Sequence, residues 1–165
     1  MSDKQWGNQR IELRDSARAK WLPRLEIDPR FSMDIIIDNF HGPDTGFLSN
    51  FYPFEIEYNG LKYPTSEAAY QAAKANDDQE GKVWSAMVRE APTPGKAKKI
   101  GKQIPLRSDW EQIKFQVMKE VLITKFRDTP LMDKLFATKN SYLIEGTLWH
   151  DNFWGICVKK RLRKM

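Results

Sequence analysis

Read for its hydrophobic periodicity, the chain runs from a charged opening stretch through a β-rich segment and a helical middle to a β-rich end. Leu13, Ala17 and Trp21 share helical spacing before Pro23 and Pro29 interrupt. Residues 1–33 therefore read as an N-terminal extension, one short helix followed by an extended link. The run DIIIDNF, residues 34–40, is rich in β-branched residues and stops at the turn formers HGPDTG, which predicts a buried strand and then a loop. Phe54, Ile56 and Tyr58 alternate with Glu55 and Glu57, and Asn59-Gly60 separates them from Leu61-Lys62-Tyr63. That pattern predicts a hairpin.

The period then changes. Pro64 precedes Thr65-Ser66, either of which can cap a helix running through EAAYQAAKA, with Glu67 in the first turn where a negative charge suits the helix dipole. Residues 80–90 and 93–102 read as two further short helices separated by Pro92 and Pro94, the second carrying Lys96, Lys98, Lys99 and Lys102. Ser108-Asp109-Trp110-Glu111 matches a capping box, and Ile113, Val117 and Val121, flanked by Met118, Leu122 and Phe126, continue it as the wide apolar face of the longest helix. Pro130 opens one more helix, through about Thr138. The segment from Ser141 to Val158 returns to aromatic and β-branched residues around Gly146 and Gly155.

Size and composition narrow the class. With 165 residues, 41% hydrophobic and 30% charged, the chain suits one compact domain and is neither disordered nor fibrous. No run approaches the ~20 apolar residues of a membrane helix, and the start, MSDKQWGNQR, has no apolar stretch of a secretory signal. The expectation is a soluble, cytoplasmic protein without membrane contact. Cys157 is the sole cysteine, and with His41 and His150 it is too sparse for a structural zinc site, so no metal is expected. The net charge of +5 sits wholly in the basic tail KKRLRKM, residues 159–165. Such a run is either a phosphate-binding arm or a solvated end.

Three segments combine groups that could do chemistry, while nucleophile-elbow, phosphate-loop and dinucleotide motifs are absent. In LSNFYPF, 48–54, Ser49 and Asn50 stand among aromatics just before a strand; Asn50 either caps a turn while Phe51 and Phe54 fill core, or it binds a ligand. On the helix after Pro64, Glu67, Tyr70, Gln71 and Lys74 share one face, with Ala69, Ala72 and Ala73 opposite. Spacing alone favours a solvated polar face over one that Tyr70 draws into the protein. In LIEGTLWHDNFWG, 143–155, Glu145 and Asp151 lie among Trp149, Phe153 and Trp154. This suits a pocket that stacks a base or sugar beside an acid, or else a core turn that Asp151 caps.

Taken together, LSNFYPF, YPTSEAAYQAAK, LRSDWEQIKFQVMKEVLITKF and LIEGTLWHDNFWG resemble, in order and spacing, the signature blocks of the NADAR (YbiA-like) family over about residues 34–158. The resemblance implies a compact α+β fold, a mostly helical single domain with a small β-hairpin or sheet. It implies hydrolysis of N-glycosidic bonds to ribose, in riboflavin-pathway pyrimidine intermediates or in ADP-ribose attached to guanine bases of nucleic acid, with no metal or organic cofactor. Asn50 matches the Asn of the family's SNF block, and Glu67 the Glu of its T-x-E-H-x-x-Q-x-x-K helix, with Tyr70, Gln71 and Lys74 retained. Arg107 and Trp110 match the L-R-x-x-W block, and Glu145, Asp151, Trp154 and Gly155 the last one. Ala68 stands where the family has His, and KKRLRKM where it continues with a glycine-rich segment and a final helix.

The chemistry implied asks for a carboxylate that stabilises a cation-like sugar or activates water, and for help to the departing base. Glu67 and Asp151 are the catalytic candidates, with Glu145 in reserve; the sequence does not order the two. Trp154 would stack the base, with Trp149 beside it, and Asn50, Lys74 and Arg107 would hold phosphate or ribose hydroxyls. Ser49, Phe51, Tyr70 and Trp110 complete the expected binding surface. ADP-ribosylated nucleic acid would meet Lys96, Lys98, Lys99, Lys102 and the tail. Two other classes stay open: an ADP-ribose-binding module without turnover, and a structural interaction protein.

Overall fold

The computed structural model describes residues 32–37, 40–147, 151 and 153–157. The helix expected around Leu13 to Trp21, the basic tail and Trp149 lie outside them. The chain forms two compact units, one running from Phe47 to Ala137 and the other made of the flanking segments up to Gly46 and from Thr138.

The Phe47–Ala137 unit opens with the hairpin that Asn59-Gly60 predicts. Strands β2 (Ile56–Tyr58) and β3 (Leu61–Tyr63) pair antiparallel, with Ile56 opposite Tyr63 and Tyr58 opposite Leu61. Asn59 and Gly60 have φ of 50° and 73°, so both central turn residues are left-handed, which lets two residues close a twisted hairpin. Helix α1 (Ser66–Ala72) follows, its first turn closed by the Thr65 hydroxyl, which accepts from the Ala68 N–H at 3.2 Å. It stops a turn short of the expected EAAYQAAKA, and Lys74 and Ala75 continue as turns.

Every residue of α1 is buried, which corrects the expectation of a solvated Glu67–Lys74 face. The physical reason lies in the alanines. Ala68, Ala69 and Ala72 leave room for close approach on several sides, and α1 packs against α2 (Gln79–Arg89), α3 (Pro94–Gly101), α4 (Trp110–Phe126) and both hairpin strands. At the α1–α3 contact a Cβ on Gly101 would lie 2.1 Å from the side-chain oxygen of Gln71, so only glycine admits that approach.

Helix α2 is capped by Asp78, which accepts from Gly81, and α3 by Thr93, with Pro94 in its first turn. Helix α4 has 17 residues and is the longest, burying Trp110, Val117, Met118, Val121 and Lys125. Its expected capping box does not form. The box needs Ser108 at the N-cap and Glu111 three residues on, but the helix starts at Trp110 with Asp109 at the N-cap; Glu111 is taken by Lys114, and the Asp109 carboxylate, held by Arg107 at 2.6 and 3.1 Å, makes no side-chain cap bond. Helix α5 (Leu131–Ala137) closes the unit after Pro130, as expected.

In the other unit, β1 (Ser32–Ile37) pairs in parallel with β4 (Ser141–Leu143), and β5 (Gly146–Thr147) in parallel with β6 (Ile156–Cys157). Strand β1 begins two residues before DIIIDNF. The architecture is α+β and mostly helical, as the resemblance implies, with five helices among the described residues. None of these helices is long and apolar enough to cross a membrane.

Candidate active site

Glu67 is the least expected member of α1, since a first-turn glutamate ordinarily faces water. Here it is 6% exposed, and its Oε1 accepts from the Gln71 side-chain N–H at 2.8 Å, one helical turn along. The Glu67 backbone N–H donates to the Asn50 carbonyl at 2.9 Å, so the SNF segment is docked directly on the helix start.

Asn50 does not cap the turn. That role falls to Ser49, whose hydroxyl accepts from the Phe51 N–H at 3.1 Å while its carbonyl accepts from the Tyr52 N–H at the same distance. The Asn50 side chain instead points at α4, its N–H donating to the Met118 sulfur at 3.6 Å. Its oxygen is buried without a donor among the described residues, and so is the side-chain oxygen of Gln71. Phe51, expected as core under the turn-capping reading, is 38% exposed.

Cations and aromatic rings surround this pair. The Lys74 ammonium lies 5.8 Å from the Tyr70 ring centre and 5.9 Å from that of Trp110, and the two rings are themselves 5.2 Å apart. Burial pulls the Lys74 pKa below the usual lysine value; Glu67 opposes that shift, and Lys98 and Lys102 reinforce it. The Lys74 ammonium thus feels one buried carboxylate and two neighbouring lysines, Lys98 and Lys102. Lys98 also lies 5.7 Å from the centre of the exposed Phe51 ring. An anion entering here would relieve the mutual repulsion of the lysines.

Arg107 stands apart in its side chain. Its guanidinium is committed to Asp109, which raises the Arg107 pKa and lowers that of Asp109, while its backbone N–H donates to the Lys74 carbonyl. It lines a groove of about 710 Å³ with Tyr58, Tyr63, Asp77, Lys82 and Arg89, a groove that Glu67 and Asn50 do not reach. The structure therefore brings Ser49, Asn50, Phe51, Glu67, Tyr70, Lys74 and Trp110 together, while Arg107, bonded through its backbone to Lys74 and Trp110, commits its guanidinium to Asp109.

The flanking unit holds the remaining candidates. The Asp151 carboxylate accepts from the Phe153 and Trp154 N–H groups at 3.1 and 3.0 Å, and its carbonyl accepts from the Thr147 hydroxyl. This is the turn-capping arrangement. Trp154 is half-buried and packs edge-on against Phe153 at 4.6 Å. Glu145 is half-buried between β4 and β5. Among the described residues no group of three or more His, Cys, Asp or Glu is placed to hold a metal ion.

Sequence reasoning puts Met118 on the apolar face of α4 without its contact to Asn50, and it misses Lys125, which bonds Ser49. The signal for Lys125 was present: it follows Val117 and Val121 at four-residue spacing on the apolar face of α4.

Known proteins share this plan. Residues 39–164 match the NADAR domain. The chain is 35% identical over 128 residues to the N-glycosidase YbiA of Escherichia coli, covering 74% of this chain and 77% of that protein. It is 30% identical over 118 residues to an N-glycosidase of Nostoc punctiforme, covering 70% of this chain and 74% of that one. A riboflavin biosynthesis protein of Vibrio vulnificus is 36% identical over 121 residues, 70% of this chain and 32% of its own length. The NMR structure of Escherichia coli YbiA superimposes with a TM-score of 0.62 at 33% identity, covering 77% of this chain and 76% of that structure.

Proposed function

The chain belongs to the NADAR family, and from that premise we propose that it is an N-glycosidase that hydrolyses a ribosyl N-glycosidic bond, removing ADP-ribose from modified guanine bases. The observation that carries this reading is Glu67: a carboxylate buried at 6% exposure, fixed by Gln71 and acting electrostatically on the Lys74 ammonium. A carboxylate is removed from water at a cost that a surface role does not require.

Cleavage of the bond between the sugar C1′ and the base nitrogen sends the bonding electron pair to the base and leaves positive charge on the ribose. Water then adds its oxygen to C1′ and its proton passes to the departing base. Glu67 stabilises the developing cation or takes the water proton. Lys74 holds the diphosphate, and the Phe51 ring offers a stacking face. Asn50, whose oxygen finds no donor among the described residues, accepts from a ribose hydroxyl. Asp151 and Trp154, with Trp149 and Glu145, keep the roles of second acid and base-stacking surface on the family resemblance alone. The lysines Lys96, Lys98, Lys99 and Lys102 and the basic tail contact the nucleic-acid backbone.

Incubating the purified chain with an oligonucleotide ADP-ribosylated on guanine tests this directly. The reading requires free ADP-ribose, with affinity for the oligonucleotide falling steeply as salt is raised. Release from a ribosyl-pyrimidine phosphate alone, with shallow salt dependence, would move the substrate to the riboflavin class that one relative's name carries. Stabilisation by ADP-ribose without release from either substrate would leave a binding module. No stabilisation and no release would leave a structural protein.

A further inference from the structure

Lys125 is the most deeply buried charged side chain of the Phe47–Ala137 unit, at 1% exposure, and none of the chemistry above uses it. Its ammonium donates to the Ser49 carbonyl at 2.7 Å and lies 5.0 Å from the centre of the Phe126 ring and 5.9 Å from that of Tyr52. Among the described residues no carboxylate forms an ion pair with it. Burial lowers its pKa to about 8. An ammonium without a counter-ion is expensive to bury, and at this position, four residues after Val121, methionine would fill the space without that cost. What lysine adds is one strong hydrogen bond to one backbone atom.

That atom belongs to the residue before Asn50. The same Ser49 carbonyl accepts from Tyr52, and the Asn50 carbonyl accepts from the Glu67 N–H, so the contact runs from α4 through the loop to the start of α1. We propose that Lys125 is a positioning residue: its ammonium pins the Ser49–Tyr52 loop to α4, and thereby holds Asn50 and Glu67 in register with each other. The proposal rests on the reading of Glu67 as the reacting carboxylate.

The test uses the full chain with Lys125→Met, which keeps the apolar stem and removes the donor. Amide hydrogen exchange followed by NMR, together with kcat and KM for ADP-ribose release from the ADP-ribosylated oligonucleotide, gives two independent readouts. In Lys125→Met the Tyr52 and Glu67 amides should exchange about tenfold faster or more, while the hairpin amides of Ile56–Tyr63 and those of α2 keep their wild-type rates. The kcat should fall about 10- to 100-fold with KM nearly unchanged. Uniformly faster exchange across the unit, or a wild-type kcat, would overturn the proposal. Absence of turnover in the wild-type chain would instead overturn the reading of Glu67, and is told apart because wild-type activity is the reference. If Lys125→Met does not fold, the wild-type chain decides: a slowly exchanging Lys125 ammonium signal coupled to the Ser49 carbonyl carbon is expected, and a freely exchanging one would refute the assignment.

Discussion

Gln71 donates to Glu67 across one buried turn of α1 at 2.8 Å, and the back of the same Gln71 amide rests against Gly101. The glutamate's orientation therefore depends on a glycine in a different helix. Gly101→Ala places a Cβ about where the Gln71 oxygen now sits, and neither backbone can retreat without repacking α1 on α3. The expected result is a loss of ~1–3 kcal/mol in denaturant unfolding, accompanied by reduced turnover because Gln71 no longer holds Glu67. Unchanged stability would mean that the α1–α3 contact is looser than this geometry.

Helix capping separates real from apparent signals. Thr65 closes α1 from a buried position, so Thr65→Ala should cost ~0.5–2 kcal/mol. Asp109 makes no cap bond, and its partner is a partly exposed Arg107, so Asp109→Ala should leave stability close to that of the wild type. Thermal or urea unfolding of the two variants side by side checks the contrast.

Alkaline stability should be shaped by two opposed groups. Lys125 has a folded pKa lowered to about 8. Between that value and the unfolded lysine value the unfolded chain holds more protons, so stability rises with pH through this window, by up to about 3 kcal/mol. Tyr58, which donates to Glu120, has a folded pKa raised to about 12 by burial and by that carboxylate. The unfolded chain then loses a proton first, and stability falls as pH rises beyond about 10. Lys125→Met should flatten the rise above pH 8, and Tyr58→Phe should remove Tyr58's share of the later fall, both read from unfolding free energies at stepped pH.

Asp151 tests its two roles by two substitutions. Asp151→Asn keeps an oxygen for the Phe153 and Trp154 amides, so the turn should survive, whereas Asp151→Ala should cost ~1 kcal/mol or more. If Asp151 also serves as the second acid, both variants lose turnover. Wild-type turnover in Asp151→Asn would confine the residue to the turn.

Much of the fold was legible because local chemistry and tertiary structure agree. Asn59-Gly60 requires left-handed backbone and obtains it; Pro94 and Pro130 stand at helix starts; Val117 and Val121 point inward as their spacing demands. The polar face of α1 was misread for the opposite reason. Glu67, Gln71 and Tyr70 look solvated when weighed by residue type, and only the approach of Gly101 and α4 shows that alanines permit burial on every side. The capping box does not form because the helix starts one residue too late for it, with Asp109 rather than Ser108 at the N-cap and Glu111 drawn to Lys114. Lys125 was passed over because a single lysine among valines reads as an interruption of the apolar face, when it is in fact the polar anchor of that face.

The most direct test of the account is Glu67→Gln, which keeps the size of the side chain and its capacity to bond with Gln71 but removes the charge. Release of ADP-ribose from the ADP-ribosylated oligonucleotide should fall by orders of magnitude while ADP-ribose still raises the melting temperature, and stability should change by only ~0.3–1 kcal/mol. Near-wild-type release with a slightly lowered melting temperature would contradict the account, reducing Glu67 to a partner of the helix dipole.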